Sequence, residues 1–140
     1  MPWGHRISLF SAALWWGGLT GIAFISVPLL FAYLPSATIA GGMAARLFTA
    51  QAWLALACGL LLLLCAREEP TSAMRWAGGA LAFVLLGMLL ALLTEFGVSP
   101  RIVARENLRL WHALGSAMMA LQWVCAAVVL WKLGGARPAA

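Results

Sequence analysis

The chain has 140 residues, 64% hydrophobic and 9% charged, with a formal net charge of +5 and a mean hydropathy of +0.97. A soluble domain carries about 25% charged residues, so this composition excludes a water-solvated globule. No two of the nine basic residues are adjacent, which excludes a nucleic-acid-binding patch and assigns them to lipid headgroups and topology.

Four apolar runs follow one another, at about Ile7–Leu34, Leu47–Ala66, Trp76–Phe96 and Leu108–Leu133. Roughly 20 apolar residues cross a hydrocarbon core ~30 Å thick, and each run is long enough. In lipid every backbone N–H and C=O must find its partner within the structure, so the runs are predicted to be helices. The expected architecture is an all-α integral membrane four-helix bundle, one domain over residues 1–140, with spans at about 7–34, 43–66, 76–96 and 100–133.

The first run starts after His5 and Arg6. It is far longer than the apolar core of about 7–15 residues in a signal peptide, so it reads as a retained span. Gly17 and Gly21 stand in GxxxG spacing. Such small residues let a neighbouring backbone approach closely, and a contact within the bundle is favoured over homodimerisation. Pro28 removes a backbone donor late in the run and should kink the helix. Leu34–Pro35–Ser36 reads as a helix end followed by an N-cap at Ser36.

The second helix is expected from Met43, through Arg46 and Thr49, to about Cys65. Arg67–Ser72 is the most polar stretch and reads as an exposed turn. The third helix starts near Trp76 and closes at Glu95–Phe96–Gly97, with Gly97 a natural C-terminal cap. Ser99–Pro100 looks like an N-cap followed by proline at the first helical position. Helix four is therefore expected to run unbroken from Pro100 past Leu130, its section from Arg101 to Asn107 lying among the headgroups. Cys58, Cys65 and Cys125 all fall inside spans and read as small apolar packing residues.

Four spans put both termini on one side, together with Arg6, Arg67, Arg75, Lys132 and Arg137. Arg46, Arg101, Arg105 and Arg109 lie on the other. Five against four leans, by the positive-inside rule, towards cytoplasmic termini in a bacterial inner membrane.

The candidate site is at the end away from the termini. At 100° per residue, Arg101, Arg105, His112, Ser116 and Trp123 fall on one stripe of the expected fourth helix. Arg46, Thr49 and Trp53 form a stripe on the second. The two stripes can face each other, with Glu95 arriving at the end of the third. On the functional reading this is a polar funnel closed below by Trp53 and Trp123. Arginines would bind an anionic group, and His112 would be a proton carrier or ligand. On the structural reading Arg46 and Glu95 tie two helix ends, the other arginines snorkel to phosphates, and the tryptophans pack. A carboxylate at a span end is costly unless paired, so Glu95 is expected to pair with Arg46, Arg101 or Arg105.

Catalytic and metal-binding constellations are not legible. His5 and His112 lie at opposite ends, which argues against bis-histidine haem ligation. Met119, seven residues after His112, is about 10 Å further along the axis, too far to share a metal. There is no CxxC, no GxGxxG and no phosphate loop. The sequence identifies no cofactor, and it favours a non-enzymatic role while leaving enzymatic activity open.

The set Gly17–Gly18, Val27–Pro28, Phe31, Ala40–Gly41, Arg46–Leu47–Phe48, Ser99–Pro100–Arg101, Trp111–His112 and Ser116 resembles the transmembrane-protein-205-like family, a four-span domain of unknown function. The resemblance covers nearly the whole chain. It implies the four-helix fold, and that Pro28, Gly41, Arg46, Arg101, His112 and Ser116 belong to a shared core. The expected function is binding of a membrane lipid, a membrane-protein partner or second copy, or a small anionic ligand at the charged end. The alternative is a small transporter or a metal-, haem- or quinone-linked redox component.

Overall fold

The computed structural model describes residues 2–68 and 73–136. Most of the expected polar turn lies outside the described residues, as do Arg137 and the side chains of Arg75 and Trp76. Helix α1 covers residues 2–33 as three continuous pieces, Pro2–Thr20, Gly21–Ser26 and Val27–Tyr33. Helix α2 is Ala37–Glu68. Helix α3 covers residues 73–103, as Ala73–Leu93, Thr94–Val98 and Ser99–Val103. Helix α4 is Leu108–Gly135. All four are long and apolar enough to cross a membrane, and the protein is an all-α integral membrane four-helix bundle.

Local chemistry sets most of the boundaries. Leu34 precedes Pro35 and takes the extended conformation, φ −80° and ψ 151°, that a following proline ring favours. Ser36 then caps α2, its Oγ accepting from the Ile39 N–H at 3.2 Å. With that cap in place α2 starts at Ala37, six residues earlier than the sequence suggested.

Two π turns account for both helix-interior prolines. In α1 the Val27 N–H reaches Ile22 O, and in α3 the Ser99 N–H reaches Thr94 O, five residues back in each case. Pro28 and Pro100 follow directly. A proline in an α-helix clashes with the carbonyl four residues before it and leaves that carbonyl unbonded. One wide turn upstream displaces that carbonyl, a local adjustment that membrane helices use to tolerate proline. The expectation that Ser99–Pro100 starts a new helix is thereby corrected. Helix α3 passes through Pro100 to Val103, and the fourth helix begins only at Leu108, after a break at residues 104–107.

Each helix packs on the next, and α4 closes on α1, so α2 and α4 occupy opposite corners. The core runs down the axis through Ala12, Trp15, Ala55, Cys58, Val84, Ala91, Ala126 and Val129. Phe10, Phe24, Leu60, Leu85 and Trp131 project outward as a lipid-facing surface. The GxxxG pair is not a contact within the chain, because a Cβ added at Gly17 or Gly21 would meet nothing within 4 Å. The close approach is at Gly18, where an added Cβ would lie 2.5 Å from Gln51 Oε1.

Candidate functional site

The turn between α3 and α4 builds the charged end. Glu106 N–H bonds Arg101 O at 3.1 Å and Arg105 N–H bonds Ile102 O at 3.0 Å, the paired bonds of a Schellman cap. That cap needs a left-handed residue, usually glycine, at the position that Arg105 fills with φ 58°. Asn107 is also left-handed, at φ 34°, and its carbonyl accepts from Leu110 and Trp111 as α4 begins. The Arg101 guanidinium lies 4.6 Å from the centre of the Trp111 ring, a cation–π contact that bridges the turn. Arg46, Arg101, Arg105 and Arg109 are all exposed.

Glu95 is not paired with an arginine. Its carboxylate accepts from the Thr49 hydroxyl, at 3.0 Å to Oε1 and 3.1 Å to Oε2. Among the described residues no arginine nitrogen comes within 4.0 Å of it. The physical reason is the π turn at Thr94–Val98. It keeps α3 continuous through Pro100, so Arg101 stands on the same helix as Glu95, six residues and about 9 Å further along its axis, instead of on a neighbouring helix facing it. One turn below Thr49, Trp53 sets its ring edge-on to Phe96 at 6.5 Å.

The expected funnel is therefore divided. Glu95, Thr49 and Trp53 form one cluster on the α2–α3 seam. Arg101 and Arg105 belong to the end of α3 and its turn. His112 and Ser116 are exposed on α4, across the diagonal from Arg46 and Trp53. Trp123 faces α1, donating from Nε1 to Thr20 Oγ1 at 2.9 Å and lying 5.6 Å from Trp16 and 6.0 Å from Phe24 between ring centres.

A buried polar layer at mid-depth lies outside the set of residues expected from the sequence. Trp15, with no exposed surface, donates from Nε1 to Gln122 Oε1 at 3.2 Å. Gln51 donates from Nε2 to Trp15 O at 3.4 Å. The Trp15 ring rests on Gly87, where an added Cβ would lie 2.5 Å from Cη2. Trp15 on α1 thus meets α2, α3 and α4 at once. The available signal was Gln51 and Gln122 themselves, since an amide in a span is costly without a partner. Among the described residues, Trp16 Nε1 is the buried side-chain polar atom without a hydrogen bond.

No three His, Cys, Asp or Glu side chains gather as a metal cage among the described residues. Two shallow surface grooves lie along the C-terminal half of α4, away from the charged end.

A family model described as a domain of unknown function, DUF4149, matches residues 10–110. The match takes in both π turns, the Thr49–Glu95 contact and the charged turn. No curated protein and no solved structure matches the chain.

Proposed function

The chain belongs to the DUF4149 family, and on that premise we propose that it holds anionic lipid headgroups at the end of the bundle where Arg46, Arg101, Arg105 and Arg109 gather. One observation carries this reading. The four guanidinium groups are exposed at one membrane face, and among the described residues no carboxylate lies within 4.0 Å of any of them. Arginine binds phosphate oxygens in bidentate fashion. Each basic residue near an anionic leaflet contributes about 1 kcal/mol.

Two details support it. The cation–π contact with Trp111 orients Arg101 at the membrane boundary. Arg105 occupies a backbone conformation that glycine would adopt without strain, and strain of this kind is retained where the side chain has a use. His112 and Ser116 are exposed one and two turns into α4, on the same helix as Arg109. Glu95, Trp53 and Trp123 then serve to join helices rather than to contact the ligand. The transmembrane-protein-205-like resemblance, a bacterial inner-membrane location with cytoplasmic termini, and association with a membrane partner or second copy belong to this reading. The Lys and Arg distribution supports the orientation.

Native mass spectrometry in mild detergent tests it. The Arg101→Ala/Arg105→Ala variant should carry fewer phosphatidylglycerol adducts than the parent protein and keep its melting temperature, and His112→Ala should show a smaller reduction. Unchanged lipid retention in a folded double variant refutes the reading.

A further inference from the structure

We propose that the C-terminal half of α4 seats one anionic diacyl phospholipid, in the leaflet on the side of the chain termini. Two grooves of about 620 and 590 Å³ run side by side here. They share Ala127, Trp131 and Gly135 as a common wall. Trp123, Val128 and Lys132 line the first, and Trp16, Leu130 and Gly134 the second.

The dimensions select a lipid. Trp123 is close to the middle of the Leu108–Gly135 span, and Gly135 is its last residue. At 1.5 Å per residue the α4 residues that line the first groove, Trp123 to Gly135, span about 18 Å, and those that line the second, Ala127 to Gly135, about 12 Å, against about 15 Å for one leaflet of hydrocarbon. The first therefore runs from the bilayer centre to its surface, and the second covers most of the same depth. Trp131, 84% exposed, stands between them as a ridge. A partner helix, about 10–12 Å wide with its side chains, needs one broad face. Two shallow grooves of near-equal volume on either side of one exposed indole suit the two chains of one lipid.

The charge selects the headgroup. Lys132 is the only charged lining residue. It lies at the surface end of its groove. Its ammonium sits against α3 where Gly79 leaves room, since an added Cβ there would be 3.0 Å from Nζ. That places a cation beside a phosphodiester at headgroup level, with Trp131 at the same interface. The site is at the opposite end of the bundle from the arginines and does not depend on them.

The test is a native mass spectrometry titration of delipidated full-length protein with dioleoyl phosphatidylglycerol, its single-chain lyso form and dioleoyl phosphatidylcholine. In Arg101→Ala/Arg105→Ala background, one phosphatidylglycerol should still bind per chain. Lys132→Gln should weaken it about fivefold and abolish the preference over phosphatidylcholine. Gly134→Leu adds a side chain where an added Cβ meets nothing within 4 Å, so the fold is retained. It should weaken diacyl binding and leave the lyso form unaffected. Unchanged binding in Lys132→Gln, or equal loss of both lipids in Gly134→Leu, overturns the proposal. So does a dimer that Gly134→Leu dissociates while lipid binding is unaltered.

Discussion

The indole N–H of Trp15 donates to the side-chain oxygen of Gln122 at 3.2 Å, and both residues are buried at the mid-depth of the bundle. This bond joins α1 to α4 where no water competes. Hydrogen bonds between membrane helices average about 0.6 kcal/mol, while a buried donor left without a partner costs about 1–3 kcal/mol. Gln122→Met is expected to destabilise the protein by about 1 kcal/mol. Trp15→Phe combined with Gln122→Met should cost less than the two single changes summed. Steric-trapping or thermal unfolding measurements on the four proteins of the cycle check this.

Gly87 and Gly17 should respond in opposite directions to alanine. At Gly87 the added methyl group meets the Trp15 ring, which is fully enclosed and has nowhere to move. Overpacking of this kind costs about 1–3 kcal/mol. At Gly17 the methyl group meets open space, and alanine gains up to about 1 kcal/mol of helix propensity. Melting temperatures in detergent separate the two. A loss of dimer in Gly17→Ala would instead reveal an intermolecular use of the GxxxG pair.

Arg105→Gly should stabilise the fold and weaken lipid binding. The left-handed backbone at φ 58° costs a residue with a Cβ roughly 1–2 kcal/mol, and glycine removes that cost. The same substitution removes one of the exposed guanidinium groups. A rise in melting temperature together with fewer phosphatidylglycerol adducts is the expected pair of results. A rise without loss of lipid would remove Arg105 from the headgroup site.

Thr49 and Glu95 should prove unequal partners. Thr49→Val deprives the half-buried carboxyl of its one hydrogen-bond donor among the described residues. It is expected to destabilise by about 1–3 kcal/mol. Glu95→Gln keeps an acceptor for the Thr49 hydroxyl and should cost less. Replacing both, as Thr49→Val/Glu95→Leu, should recover much of the Thr49→Val loss, because no polar group is then left alone. Unfolding free energies of the three variants decide the matter.

The sequence by itself determined the four spans, their order and their helical state. Hydropathy is a local property of each run, and a backbone in lipid has few other ways to bond itself. The Leu34–Pro35 stop and the Ser36 cap were legible for the same reason, since each acts within a few residues. The gathering of Arg46, Arg101, Arg105 and Arg109 at one end also followed from span order alone.

Which face each helix turns towards its neighbours was decided only by the tertiary structure. Spans that are apolar all round carry no amphipathic direction, and lipid solvates a leucine as well as a helix neighbour does. Helix rotation is then chosen by close packing and by the few polar side chains that must meet. Here those are Gly18 against Gln51, Gly87 under Trp15, and Gln122 on the Trp15 indole. The two π turns each add a residue to the helical register. The turn in α3 carries that helix through Pro100, where the sequence alone marked a beginning, and leaves Arg101 on the same helix as Glu95, whose carboxylate meets Thr49 instead.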